Sequence, residues 1–133
     1  MSESSGEAPW HAHIYYQPDQ RPLADALRRR FEALLAAGDL PGLKFVGALR
    51  DHKVGPHPVP QFEIHFRERA LAALRPVLEG SGLRVLIHPL TDDDVADHTR
   101  LGRWIGEPLD LDLTTLDPPG VNQGMARFGK TDF

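Results

Sequence analysis

Apolar and polar positions alternate through Trp10–Tyr16, "WHAHIYY", so a strand there puts Trp10, Ala12, Ile14 and Tyr16 on one side and His11, His13 and Tyr15 on the other. The turn "QPDQRP" follows, with Pro22 suited to the first turn of a helix. From Leu23 the period lengthens: Leu23, Leu27, Phe31, Leu34 and Leu35 share one face of a helix that Gly38 ends. Strands are predicted at 43–50 and 61–66, joined by a loop over 51–60 rich in His, Gly and Pro. A second helix carries Ala70, Leu71, Leu74, Val77 and Leu78 and stops at "EGSG", and Pro76 within it removes one backbone hydrogen bond and should kink or shorten it. A fourth strand is predicted at 83–88.

The order β-α-β-β-α-β is that of an α+β, ferredoxin-like antiparallel sheet with both helices on one face. Its usual spatial order is four-one-three-two. Beyond it, "TDDDVADHTRLGRW" reads as an additional short helix with Thr91 as its cap and acidic residues in its first turn. "LDLDLTTL", 109–116, alternates and reads as an additional strand that buries Leu109, Leu111 and Leu113. Residues 1–9 read as a flexible leader, 10–116 as one domain and 117–133 as an irregular tail.

Composition narrows the class. With 133 residues, 41% hydrophobic and 26% charged, the chain is of globular type. A net charge of −4, with the "RRR" of Arg28–Arg30 on the solvated side of a helix, argues against a nucleic-acid partner. There is no cysteine, which excludes disulfides and thiolate metal sites. No apolar run reaches membrane-spanning length and "MSESSGEAP" lacks the features of a signal peptide, so a cytoplasmic protein is expected.

The topology decides where the histidines go. Ile14, Phe62, Ile64, Phe66, Val85 and Ile87 take the helix-covered face. His11, His13 and Tyr15, with Gln61, Glu63, His65, Arg84, Leu86 and His88, take the opposite one. His11 is expected between His65 and His88, with His13 and Glu63 one row further on, close enough for imidazoles to share one ion. Glu63 is the acidic residue of that face, and two histidines with one carboxylate form the ligand pattern of non-haem iron oxygenases. His57, in the stiff "VGPHPVP", could fold over the face or simply occupy a surface turn. His98 follows Asp94 by four residues, a spacing that also suits a helix-surface salt bridge. A cupin, which also uses a His-x-His strand, is excluded by the two amphipathic helices.

"HAHIYY", "GPHP" before a strand, and "IHPLTDDDVADHTRLGRWIGEPLDLDL" together resemble the DOPA 4,5-dioxygenase family of small fungal and bacterial type. The resemblance covers about residues 10 to 116. It implies a dimeric α+β barrel that uses a divalent metal, expected to be iron with zinc or manganese possible in a purified sample, for extradiol cleavage of L-DOPA or a related catechol by dioxygen. The family's histidines correspond to His11, His13, His57, His88 and His98, with Tyr15 alongside, whereas Glu63 and His65 lie outside that pattern. On this reading His11, His13 and His88 hold the metal, His57 and His98 serve acid–base or supporting roles, and Tyr15 and Glu63 border the substrate. A homodimer is expected to close the open sheet face, with strand 109–116 crossing to the partner. The rival expectation is a cofactor-independent monooxygenase, or a non-catalytic module that binds an aromatic ligand on the same face.

Overall fold

The computed structural model describes residues 6–53, 56–91 and 93–116. Five strands, β1 (Pro9–Tyr15), β2 (Leu43–Val46), β3 (Gln61–Arg67), β4 (Arg84–Pro89) and β5 (Arg103–Ile105), form one antiparallel sheet in the order β2-β3-β1-β4-β5. Two helices, α1 (Arg21–Ala37) and α2 (Leu71–Glu79), fall in the predicted places, and a short α3 (Asp94–His98) follows β4. The expected four-one-three-two order holds, extended by β5 at one edge. No helix among the described residues is long and apolar enough to cross a membrane.

One side of the central strands builds the core. Ile14, Phe62, Ile64, Phe66, Val85 and Ile87 are fully buried there with Phe31, Leu74 and Leu78 of the helices. Each such side chain contributes roughly 1.5–3 kcal/mol relative to exposure, which makes this face the main source of stability. On α1 the buried stripe is Ala24, Leu27 and Phe31, while Leu23 lies outside it and exposed; a spacing of four drifts around a 3.6-period helix, and the smaller Ala24 faces the sheet instead. Pro76 is accommodated by a helix of only nine residues.

Four expectations are corrected. The second strand ends at Val46 rather than 50: Gly47 donates to the Glu63 carbonyl at 2.8 Å, and only Arg50 regains a bridge, to Gln61. The cap of α3 is Asp93, whose side chain accepts from Ala96 N, while the Thr91 hydroxyl accepts from Asp93 N. Within "TDDDVADHTRLGRW" only 94–98 are helical, and Arg103 and Trp104 belong to β5. Finally, 109–116 is not a strand. Asp112 accepts from Thr114 N and its hydroxyl, a local bond that competes with extended pairing and winds Leu113–Thr115 into a 3-10 turn, leaving Leu113 exposed.

The expected leader is ordered from Gly6: Gly6 and Ala8 carbonyls accept from Arg69 and Glu68, and Pro9 already pairs in the sheet. Residues 1–5 and the expected tail, 117–133, lie outside the described residues. The second sheet face is not open. His11, His13, Tyr15, His65, Leu86 and His88 are all buried within one chain. The strand expected to cross to a partner does not form, since 109–116 carries only a 3-10 turn.

Gly102 brings this cover close to the sheet. A Cβ there would stand 2.9 Å from Leu86 Cδ1, and 3.3 Å and 3.4 Å from the Asp97 and Thr99 carbonyl oxygens. Gly102→Ala is expected to cost about 1–3 kcal/mol through overpacking, measured by urea denaturation. Unchanged stability would show that the turn between α3 and β5 has slack.

Candidate metal centre

The register of the three central strands lays the site out in rows. His65, His11 and His88 face one another across β3, β1 and β4. The next row is Glu63, His13 and Leu86, and the third is Gln61, Tyr15 and Arg84. Two histidines arrive from outside the sheet. His57 comes from the loop before β3, buried rather than in a surface turn, with its ring 4.1 Å from that of His13. His98 ends α3, buried rather than paired on a helix surface, with its ring 4.2 Å from that of His88 and 6.1 Å from that of His13. All five histidines singled out by sequence thus meet at one place. His65 stacks on His11 at 3.6 Å with the rings 8° from parallel, and bonds Glu63 at 2.5 Å.

The hydrogen bonds show which nitrogen of each ring faces inward. A carbonyl oxygen can only accept, so His88 Nδ1–H donates to Pro89 O at 2.8 Å and His98 Nδ1–H donates to Asp94 O at 2.8 Å. His13 Nδ1 lies 3.2 Å from Gln61 Oε1 and 3.6 Å from Glu63 Oε1, two further acceptors. Each of these rings therefore holds a proton at Nδ1 and turns Nε2 away from its anchor. Such anchoring of the remote nitrogen is how metal-binding imidazoles are oriented.

Two of these atoms then meet: His13 Nε2 and His88 Nε2 stand 2.9 Å apart. Two lone pairs at that distance repel unless a cation or proton comes between them. Protonation is disfavoured, since burial first, and then His57, His88, His11 and His98, hold the His13 pKa well below the usual imidazole range. The neighbourhood could hold a divalent ion.

His57 differs. Its Nδ1 lies 2.7 Å from the Tyr15 hydroxyl, and burial followed by Glu63 raises the Tyr15 pKa, so Tyr15 stays protonated and can donate. Burial and His98 lower the His57 pKa to about 4, with Glu63 opposing. With Nδ1 accepting from Tyr15 the neutral ring carries its proton on Nε2 and donates there; with Nδ1 donating to the same hydroxyl, Nε2 is the acceptor. Burial disfavours the Glu63 carboxylate, but His65, His57 and Arg50 outweigh this and hold its pKa below the usual value. Glu63 is ionised and supplies negative charge beside the rings.

Three sets of side chains present donor atoms within 4.8 Å of one another: His11, His13 and His88; His13, His57 and His98; and His11, Glu63 and His65. Any of them could hold a metal ion, and the donor chemistry, neutral nitrogens with one carboxylate nearby, suits iron, zinc or manganese. The first set is the one expected from sequence. His13 is common to the first two.

Sequence reasoning gave no role to Gln61, Trp104 or the Asp94 carbonyl. Gln61 could have been found by its place two residues before Glu63 on the same strand face. Trp104 stacks on Tyr15 at 5.8 Å, and only the β4–β5 pairing reveals it. "TDDDVADH" is a scaffold: Asp97 accepts from Thr91 N and its hydroxyl, Asp93 caps the helix, and His98 is thereby aimed inward. A cavity of about 270 Å³ opens beside His98, walled by Trp104, Leu109, Leu111 and Leu113. A larger one, about 520 Å³, lies at the strand ends beside Tyr15 and Arg84 and touches none of the histidines.

Comparison with known proteins agrees with this architecture. The model of the Dopa 4,5-dioxygenase family matches residues 10–115. The DOPA 4,5-dioxygenase of Amanita muscaria is 30% identical over 111 residues, covering 80% of this chain and 49% of that enzyme. An uncharacterised 21.2 kDa protein of Botryotinia fuckeliana is 30% identical over 124 residues, covering 86% of this chain and 66% of its own. The chain thus spans about half of the first relative and about two thirds of the second. A crystal structure from Nostoc punctiforme, described as a "putative dioxygenase", superposes with a TM-score of 0.70 at 27% identity, over 86% of this chain and 96% of that one. A family match over most of the length, on a sheet whose histidines converge as they do here, places the chain in the Dopa 4,5-dioxygenase family.

Proposed function

We propose that this protein is a metal-dependent extradiol dioxygenase that opens the ring of L-DOPA or a related catechol with dioxygen. The observation that carries the proposal is the 2.9 Å approach of His13 Nε2 to His88 Nε2, each ring anchored through Nδ1, within a buried group of five histidines. Family membership and the Amanita relative's name support the chemistry. The ion proposed is ferrous iron, held by His11, His13 and His88. When bound it would supply Lewis acidity to ionise a catechol and a redox path to dioxygen. A second ligand set has one specific argument: His98, like His88, is anchored to a carbonyl, so it could replace His11.

The remaining side chains have separable tasks. His57, with Tyr15 behind it, holds a proton at Nε2 and can donate to a substrate oxygen. His98, anchored through Nδ1, turns Nε2 inward as an acceptor for a catechol proton. Glu63 and His65 lie beside His11 and His13 and balance charge as the ion enters. The cover formed by the His57 loop, α3 and 109–116 limits water around the reacting ring. A cofactor-independent oxygenase or aromatic-binding module remains the rival, and metal content separates the two.

With ferrous iron, air and L-DOPA or a 4-substituted catechol, the protein should consume oxygen and form a yellow, ring-opened semialdehyde. Oxidation to a quinone alone would overturn extradiol cleavage. His57→Ala should lower turnover about 10²–10⁴-fold, as for loss of a general acid or base, while sparing metal content.

His13→Ala should abolish binding of the one divalent ion per chain, measured by elemental analysis after anaerobic loading, because His13 belongs to the set with His11 and His88 and equally to the alternative in which His98 replaces His11. His11→Ala and His98→Ala then decide between the sets: the ligand empties the site and the bystander does not.

Acid should destabilise the metal-free protein. His57 titrates at about 4 when folded and near 6.5 when unfolded, and His13 is shifted in the same direction. Folding is then favoured fully above pH 6.5 and progressively lost as pH falls towards 4, because the unfolded chain binds the protons. Thermal melting across that range checks this, and His57→Ala should flatten the slope.

A further inference from the structure

The cavity beside His98 has a lining that the proposed chemistry does not itself require. Trp104 and three leucines, Leu109, Leu111 and Leu113, make an apolar slot, and Asp110 is the acidic side chain in its lining. Among the described residues no lysine or arginine lines it. At about 270 Å³ it lies just below the roughly 300–1,000 Å³ that holds drug-sized ligands. That volume takes one aromatic ring with a short side chain and leaves no room for a second ring.

An indole and a carboxylate in the wall of one slot, with no competing cation among its lining residues, suit an organic ammonium. We propose that this slot selects single-ring substrates whose short side chain carries a protonated amine, with Asp110 as the specificity-determining residue and Trp104 as the wall against which the ring and ammonium rest. The inference rests on the proposed catechol reaction and deepens it: a catechol amine is favoured, while a catechol whose side chain ends in a carboxylate alone is rejected by Asp110. Asp110 is exposed, so its preference is modest and falls with salt. The slot is built by the 109–116 segment, which is held to the His57 loop by the bond from Asp112 N to Pro56 O at 2.9 Å. Ring binding and the placement of His57 are therefore coupled through the same cover.

The test uses ligands that cannot be ring-opened, so that it reads the slot and not the reaction. Ligand-observed NMR titrations compare 2-phenylethylamine, 2-phenylethanol and 3-phenylpropionate with the full chain, with and without ferrous iron. The amine should bind about two- to five-fold more tightly than the alcohol, the range an exposed ion pair supplies, and the acid most weakly. Asp110→Asn should erase the amine's advantage while leaving the alcohol unchanged, and Trp104→Phe should weaken the amine more than the acid. Equal affinities in the native protein, or an amine advantage that survives Asp110→Asn, would overturn the proposal. If this order holds while catechols are not cleaved, the ring-opening reading fails and the slot's selectivity stands; if catechols are cleaved without the order, the reverse is true.

Discussion

Six of the seven histidines are buried, and the fold has to satisfy them. Burial disfavours the charged form of an imidazole, and it is the leading reason that the His13 and His57 pKa values fall below the usual range. A neutral ring still has one nitrogen that must donate and one that must accept. The anchors are spread over the chain: the Pro89 and Asp94 carbonyls, the Gln61 amide, the Tyr15 hydroxyl and the Glu63 carboxylate. What these anchors leave over is a pair of Nε2 lone pairs facing each other across β1 and β4. The rest of the site is arranged around that meeting point.

The architecture separates stability from chemistry. The helix-covered face holds an apolar core of Phe, Ile, Leu and Val side chains, and it can carry the free energy needed to keep polar rings dry on the other face. The cover over that second face contributes little apolar burial and is built instead from local hydrogen bonds. Asp93 and Thr91 brace a five-residue helix far too short to be stable alone, and Gly102 lets the following turn lie against Leu86. This explains an acidic run that would otherwise look like solvated surface: its carboxylates hold backbone in place so that one imidazole points inward.

At 27–30% identity to its relatives the chain keeps the family's sheet and spans about half of the Amanita enzyme. Glu63 and His65 fall outside the histidine pattern that the resemblance implies, yet they sit directly beside it. The stacked His11–His65 pair, with Glu63 bonded behind it, places a negative charge beside a cluster that would otherwise gather only dipoles and a cation. It is a local adjustment of the site's electrostatics by two residues of one strand.

Period-two and period-3.6 patterns, read with the rule that consecutive elements lie side by side, settled the sheet order, the two faces and the row that joins His65, His11 and His88. Those follow from local geometry: once β1 is extended and central, alternation leaves its histidines only one side. The same reasoning failed wherever a short-range polar bond competed with pattern. "LDLDLTTL" alternates as a strand should, but Asp112 bonds Thr114 and the segment turns instead. Leu23 matched the spacing of α1 and lies exposed, because a helix two turns from its contact has rotated away. Whether His57 and His98 were surface residues or part of the site could not be read from their neighbours in sequence, since nothing local fixes where a loop folds. Only tertiary structure brought them over β1 and β4, paired Tyr15 with Trp104, and set His13 against Gln61 and His88, because those facts depend on partners far away in sequence, 75 residues for His13 and His88.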